Sequence, residues 1–446
     1  MKRSSDRLII FGRYPLPGRT KTRLIPALGP AGAADLQRRL TEKILETVRT
    51  FARPRDIGVE VCFVGDSKQK MRRWLGSGAI FSRQVPGNLG IRMQAAFLNA
   101  FQRGVARVIL LGTDIPQLST NHLEESFNAL AENDVVIGPS TDGGYWLIGL
   151  KHPVELFEGI KWGTDAVFGQ TLALAKEQEL RVKTLTPLTD IDTAKDLKQV
   201  LPGWTKKGPY VSVVIHSPNE AVNIEATIKR AMHKDAEIIV VDGPSIDNMV
   251  EIASSDGLRV VTGSRSRAAQ QNIGAKAATG RVLLFLHADT LLPTGYINYI
   301  FEILMDRKTV AGAFRFKTNL DYPSMKVIEF VANIRSRYLK LPYGDQGLFI
   351  QKSVFEAVGG FPEVPVAEDI FLIRRLSRYG RIRIAPAHAL TSARRWQALG
   401  QFRTTLMNQI ILIGCCLGVS PGALASMFRF TDKKSTAPPP NGMAGG

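Results

Sequence analysis

The stretch RVLLFLHADTLLP, residues 281–293, reads as a buried strand that runs out into a turn, with one acid, Asp289, at its mouth beside His287. A carboxylate at a strand end can do one of two things. It can cap the turn through its own backbone, or it can hold a divalent ion whose other ligands are waters and phosphate oxygens. In open α/β sheets ligands sit beyond the carboxyl ends of strands, so the polar residues that close apolar runs deserve the same question. In the second half these are Asn219, Glu220, Asp242 and Asp289. In the first half they are the turn-rich segment from Gly12 to Arg23, and Asp114.

The elements that must position these groups occur twice. RLIIFG, VEVCFVG, RVILLGTD and DVVIGPS read as strands in the first half, with helical stretches near Ala33 to Phe51 and near Ile91 to Arg103. VSVVIHS, EIIVVDG, LRVVTG and RVLLFLHAD repeat the theme, with helices near Asn223 to Met232, after EIIVVDG, and near Arg267 to Ala278. Short β-branched runs alternating with helical patterns predict mostly parallel α/β units. The Pro-, Gly- and Lys-rich segment around 204–209 predicts a linker, giving domains over 1–203 and 210–432. The tail KKSTAPPPNGMAGG, within residues 433–446, has the composition of a disordered segment.

Length and composition bound the function. At 446 residues, 44% hydrophobic and 22% charged, the chain suits two globular cores. Three cysteines, two of them adjacent, make no disulfide framework and no metal-binding CxxC pair. The LIIF run near the N-terminus is too short for a signal peptide, and the expected home is the cytoplasm. Net charge is +18, and residues 371–446 hold 11 basic residues against one acid. Such a block attracts phosphate on nucleotide, anionic lipid or nucleic acid. No helix-turn-helix, zinc-finger or aromatic RNA-binding signature points to specific nucleic acid. The apolar run Leu406 to Val419 is interrupted by Asn408 and Gln409 and too short to span a bilayer. It predicts either a buried helix or peripheral contact with the inner face of the membrane.

Five motifs in order, VSVVIHSPNEAVNIEATI, IIVVDGPSIDNMVEIA, RAAQQNIGAKAATGRVLLFLHADT, LPYGDQGLFIQKSVFEAVGGFPEVPVAEDIFLIRRL and TSARRW, resemble a family 2 glycosyltransferase of GT-A fold, in the subfamily associated with arsenosugar biosynthesis. The resemblance implies that Glu220, Asp242 and Ser245 meet the nucleotide of a sugar donor. It implies that Asp289 serves the diphosphate through Mg²⁺ or Mn²⁺, and that Asp369, with Glu368 as the next choice, takes the acceptor proton. Attack from the far side would invert the anomeric centre. His287 stands where the family's commoner two-acid motif has its first acid, and a packing histidine is the favoured reading of it. His216 replaces a common proline, and DGPSIDNM departs from the usual donor loop while keeping Asp242, Ser245 and Asp247. Glu368 and Asp369 also begin a helical pattern, where acids are favoured by the helix dipole alone.

The first half is similar to a nucleotidyltransferase-like GT-A family found beside that subfamily, through GRYPLPGRTKTRL, LLGTDIPQL, GPSTDGGYWLIGL and TDIDTAKDL. This is no Walker A loop, since Gly12 and Gly18 are six apart and Arg19 follows. The likeness implies phosphate contact by Gly18, Lys21 and Arg23, a nucleotide contact from Asp142, a metal held by Asp114 and Asp192, and Tyr145 and Trp146 as walls for a base or sugar. Where relatives carry acids, GNLGIRM has Asn88 and Ile91, which puts activity in question more than fold. The expectation is therefore tandem GT-A, Rossmann-like α/β domains. The C-terminal one would transfer sugar from a nucleotide-sugar donor to an acceptor hydroxyl, and the N-terminal one would use a nucleoside triphosphate to supply that donor. The alternatives are a transferase for a lipid or carotenoid acceptor with a non-catalytic N-terminal docking domain, and a membrane-surface or nucleic-acid binding protein.

Overall fold

The structure, a computed structural model, describes residues 5–205, 208–216, 221–243, 258–263 and 266–432, apart from the side chains of 205, 221–222, 395, 398–399, 416 and 427–432. Asn219, Glu220, Ser245, Asp247, the helix expected after EIIVVDG, residues 206–207 and the tail 433–446 lie outside the described residues. The chain divides into two compact units, Met1–Lys207 and Gly208–Gly446.

Seven strands form the first unit's sheet: β1 (Asp6–Arg13), β2 (Gly58–Val64), β3 (Ile80–Arg83), β4 (Arg107–Leu111), β5 (Val135–Pro139), β6 (Tyr145–Leu150) and β7 (Val182–Thr184). Their order is β3-β2-β1-β4-β6-β5-β7. β1 pairs in parallel on both sides, Ile9 standing opposite Glu60 of β2 and Leu110 of β4. A strand covered on both faces must be apolar on both, and Leu8, Ile9 and Ile10 are all buried. β6 runs against both β4 and β5. The hairpin between β5 and β6 requires Gly138, where a Cβ would come within 2.4 Å of the Trp146 ring.

The first helix, Ile25–Ala52, begins earlier than the expected Ala33 and bends at Gly29, whose φ is 73°. Pro26 sits in its first turn, where a missing N–H is harmless. Trp204, expected in the linker, packs on the first unit's core with the Arg39 guanidinium 5.1 Å over its ring.

Among its described residues the second unit has eight strands: β8 (Val211–His216), β9 (Ala236–Asp242), β10 (Arg259–Thr262), β11 (Val282–His287), β12 (Thr290–Leu291), β13 (Thr309–Thr318), β14 (Leu348–Gln351) and β15 (Arg381–Thr391). The order is β10-β9-β8-β11-β14-β13-β15-β12. β10, β9, β8 and β11 are parallel, and β14 runs against β11 and β13. The helix Arg267–Ala277 lies so close on β8 that a Cβ at Gly274 would meet Val214 Cγ1 at 2.3 Å. Below β11, Phe285 packs on Phe355 and edge-on to Phe361, with ring centroids 5.1 and 4.8 Å away. Each such ring contributes about 1.5–3 kcal/mol by leaving water. Both units are mixed, mostly parallel α/β sheets, the tandem GT-A, Rossmann-like fold expected. No described helix is long and apolar enough to cross a membrane.

Candidate functional site

In the second unit, the parallel register sets His216, the last residue of β8, opposite His287, the last of β11. Their rings meet edge-on at 4.9 Å. His216 is fully buried, and its Nε2 lies 3.2 Å from Gln271 Nε2, so which nitrogen carries the proton depends on the tautomer. Burial first, then the neighbouring His287 and Arg267, push its pKa well below the usual imidazole value. Asp242 closes β9 with a buried carboxylate whose Oδ1 has no hydrogen-bond partner among the described residues. A buried orphan oxygen of this kind costs roughly 1–3 kcal/mol until a donor group meets it.

The helix Glu368–Tyr379 follows Ala367 at φ 63°, ψ 28°. A left-handed alanine costs about 1–2 kcal/mol, and it brings both acids into the first turn of the helix. Asp369 Oδ2 accepts the backbone N–H of Gly344 at 2.9 Å, and Oδ1 accepts that of Ile370 at 2.8 Å. Glu368 is buried instead, with Arg267 Nε 3.4 Å from its Oε1. Burial raises its pKa against the opposing pull of Arg267. The two acids thus face different surroundings.

The turn Gly344–Gln346 also reaches Asp289. A Cβ on Gly344 would lie 2.9 Å from His287 Nε2, so the glycine, His287 and Asp369 share one corner. One residue on, the Asp345 carbonyl accepts Thr391 Oγ1 at 2.8 Å, and Thr391 Oγ1 is 2.9 Å from Thr290 Oγ1, next to Asp289. Asp289 lies two residues beyond the end of β11, its carbonyl accepting the Ser392 N–H at 3.1 Å. Its Oδ2 is 3.5 Å from Arg394 Nη2. Among the described residues no three His, Cys, Asp or Glu side chains gather into a metal cage. One hard carboxylate suits Mg²⁺ or Mn²⁺ when diphosphate oxygens and water complete the shell.

In the first unit, LPGR makes a turn closed by Arg19 N–H to Leu16 carbonyl at 3.1 Å, with Gly18 at φ 79°. Pro then Gly at the central positions is the type II pattern. The turn delivers Lys21, itself left-handed at φ 45°, so that its buried ammonium lies 3.2 Å from Asp114 Oδ1, 3.5 Å from Asp192 Oδ1 and 2.5 Å from the Ile191 carbonyl. Arg23 Nη1 lies 3.7 Å from Asp192 Oδ2. Lys21, Arg23, Asp114 and Asp192 line one cleft of about 520 Å³ together with Arg13, Arg19 and Arg92. Five cations against two acids make it a place for phosphate. Burial, with Arg13 close by, holds Arg92 below the usual guanidinium value. Asp114 and Asp192 converge on a single position that the Lys21 ammonium fills, so a divalent ion held by this pair would require Lys21 to turn toward the phosphates. A larger hollow of about 750 Å³ lies at the opposite, amino end of β1 and β4, where the cations Arg107 and Lys151 stand against one acid, Asp6, which already pairs with Arg107.

Several expectations need correction. Asp114 stands in the loop after β4, which ends at Leu111. Asp142, like Asp190 beside it, is not in the cleft lining, and its Oδ1 accepts the Gly144 N–H at 3.0 Å within its own turn. Trp146 is buried against Gly138, and Tyr145 packs edge-on to Trp162 with its hydroxyl buried, so neither ring walls the cleft. Asp190 was missed. Burial, then Asp142, Asp192 and Asp114, push its carboxyl up to about 6. The spacing Asp190-Ile-Asp192 was the signal that could have found it. Arg13 and Arg19 lay inside the Gly12 to Arg23 segment but were given no contact of their own, and Arg92 is an isolated basic residue that only the fold collects.

Residues 212–361 match the family described as Glycosyl transferase family 2, and residues 47–164 match "Uncharacterized protein conserved in bacteria (DUF2064)". Among solved structures, a candidate nucleotide-diphospho-sugar transferase from Desulfovibrio desulfuricans G20 is 35% identical over 44% of this chain and 85% of its own, with a TM-score of 0.41. A mannosyltransferase from Pyrobaculum calidifontis, in complex with GDP-mannose and Mn²⁺, is 19% identical over 42% of this chain and 57% of its own, with a TM-score of 0.33. Glucosyl-3-phosphoglycerate synthase from Mycobacterium tuberculosis, with Mn²⁺, UDP and glucosyl-3-phosphoglycerate, is 17% identical over 41% of this chain and 72% of its own, with a TM-score of 0.33. No curated protein matches the chain.

Proposed function

We propose that this chain, a nucleotide-sugar glycosyltransferase with a family 2 domain in its second unit and a DUF2064 domain in its first, uses Asp369 to activate an acceptor hydroxyl beside a donor diphosphate placed near Asp289. The observation that carries this reading is the Gly344–Gln346 turn, which holds Asp369 by a backbone N–H and is tied through Thr391 and Thr290 to the Asp289 loop. Asp369 takes the hydroxyl proton as the acceptor oxygen attacks the anomeric carbon. The bond from that carbon to the β-phosphate oxygen breaks, the nucleoside diphosphate leaves from the opposite face, and the configuration inverts. Asp242 Oδ1, without a hydrogen-bond partner among the described residues, offers an acceptor to a donor group of the nucleotide. Arg394 offers a guanidinium to phosphate, its side chain half exposed beside Asp289. Asp289 would hold a Mg²⁺ or Mn²⁺ ion, which when bound offsets charge on the departing diphosphate.

The first unit's cleft supports binding of a nucleoside triphosphate. Arg13, Arg19, Lys21, Arg23 and Arg92 meet its phosphates, and Asp114 and Asp192 would hold the metal. Its task would be to make the donor, joining a sugar phosphate to a nucleotide with release of pyrophosphate. Calorimetry with UDP-, GDP- and dTDP-sugars and with nucleoside triphosphates, each with Mn²⁺, tests both sites. Product analysis with an acceptor panel that includes arsenosugar precursors then identifies the acceptor. No affinity for any nucleotide sugar would sink the transferase reading. Sugar-donor binding without triphosphate binding would leave the first unit a non-catalytic module.

A further inference from the structure

We propose that the second unit docks on an anionic membrane surface through two helices that turn apolar stripes outward. Of fifteen exposed large apolar side chains among its described residues, thirteen fall within 322–339 and 402–419. They are not scattered. In the helix Gln401–Cys416 and just beyond it, Phe402, Leu406, Ile410, Ile413 and Leu417 recur at spacings of four and three, one helical face, while Leu412 and Cys415 on the other face are buried. Phe402 is 82% exposed and Leu417 78%. The helix Pro323–Ile334, continued by the turn Arg335–Leu339, shows Val327, Phe330, Val331, Ile334 and Tyr338 in the same manner, Phe330 at 65% and Tyr338 at 68%. A surface helix ordinarily sends such a stripe inward, and a soluble monomer rarely shows an apolar surface of this extent.

Charge selects the occupant. Segments 323–340 and 394–419 hold seven Lys and Arg against a single acid, Glu329. Lys326, Arg337, Lys340 and Arg403 are exposed beside the apolar faces, Lys326 pairing with the neighbouring Asp321, whereas Arg335 is buried and Arg394 pairs with Asp289. Apolar faces fringed by cations fit the headgroup layer of a bilayer carrying anionic lipid, where rings and aliphatic chains enter the acyl boundary and cations meet phosphate. The two helices also flank one cleft of about 160 Å³, walled by Val327, Val331, Thr405 and Asn408, with Tyr343 and Asp345 at its inner end. In it the Trp396 indole N–H and the Tyr343 hydroxyl have no hydrogen-bond partner among the described residues. Tyr343 and Asp345 bracket Gly344, whose N–H holds Asp369. Docking would therefore set the acceptor side of the site at the membrane. That last step rests on the glycosyl-transfer reading, whereas the docking does not.

The test is sedimentation of the full chain with vesicles of phosphatidylcholine alone and with roughly one-third phosphatidylglycerol, at low and high salt. Binding to the anionic vesicles at low salt, weakened by salt and by removal of the anionic lipid, is expected. A Phe330→Ser, Phe402→Ser, Leu417→Ser triple variant should lose at least about tenfold in vesicle partitioning while its melting temperature and nucleotide-sugar affinity stay put, since all three side chains lie in water. Wild-type protein left in the supernatant at low salt would overturn the proposal, as would a triple variant that sediments normally. A wild-type dimer that the triple variant dissociates, with no vesicle binding, would assign the surface to a second copy and equally overturn it. Vesicle binding by a chain with no affinity for any nucleotide sugar would leave the docking intact and sink only the transferase reading.

Discussion

Gly344 and Asp369, 25 residues apart in sequence, are joined by a 2.9 Å hydrogen bond from the backbone N–H of one to the carboxylate of the other. The same glycine leaves no room for a side chain, because a Cβ would stand 2.9 Å from His287 Nε2. Glycine at this position thus sets both the aim of the carboxylate and the closeness of the β11 end.

Gly344→Ala should push the turn away from His287 and misaim Asp369, which the turn holds directly, more than it disturbs the Asp289 loop, which the turn meets only through Thr391 and Thr290. Transfer should fall by about 10- to 100-fold, the cost of misplacing a catalytic group by a fraction of an ångström to an ångström. Donor affinity should stay near wild type. Equal loss of both would mean that the turn supports the donor as well.

Asp289→Ala removes the carboxylate that would hold a metal and breaks its ion pair with Arg394. Metal-dependent donor binding and transfer should fall together. Titration of Mn²⁺ in the presence of donor reads this directly, and an unchanged Mn²⁺ dependence would return Asp289 to a turn-capping role.

Lys21→Met should cut triphosphate affinity of the first unit by about 10- to 100-fold, the worth of one charge-assisted contact. It also leaves Asp114 and Asp192 facing each other without the ammonium that now bridges them. Calorimetry with the full chain reads the loss as a binding event separate from that of the sugar donor. Triphosphate affinity equal to wild type would remove Lys21 from the phosphate site.

His216 yields a pH dependence. Its folded pKa lies well below 6.5, so the neutral ring is the folded form, and the unfolded chain binds the extra proton. Stability from this group is complete above about pH 6.5 and is lost as pH falls below it, at up to about 1.4 kcal/mol per pH unit. His287 and Arg267, which share its surroundings, act in the same direction. Melting temperatures between pH 7.5 and 5 should drop less steeply in His216→Gln than in wild type, and parallel curves would contradict the assignment.

The parallel strands at the centre of each sheet were legible because two covered faces demand an unbroken apolar run, as in Leu8 to Phe11 and Val282 to Leu286. The polar groups at their ends followed from that. Antiparallel β6 and β14 were not legible as such, since direction is set by pairing rather than by pattern. Tyr145 and Trp146 looked like ligand walls because aromatic pairs serve both pockets and cores, and only Gly138 beneath the indole decides for the core. The cations Arg13 and Arg92 lie far apart in sequence and meet only through tertiary packing. The run Leu406 to Val419 left a buried helix and a membrane contact open, because its two faces, one exposed through Leu406, Ile410 and Ile413 and one buried through Leu412 and Cys415, separate only in the folded helix.

The central claim is that Asp369 is the base of a glycosyl transfer from a nucleotide sugar. Its most direct test is release of nucleoside diphosphate by wild type and Asp369→Asn, with the donor and acceptor found by the panels above and donor affinity measured alongside. Asparagine keeps the shape and an oxygen for the Gly344 N–H but cannot take the proton. The account predicts donor affinity within about twofold of wild type and transfer slower by about 10² to 10⁴. Transfer at the wild-type rate by Asp369→Asn would contradict it.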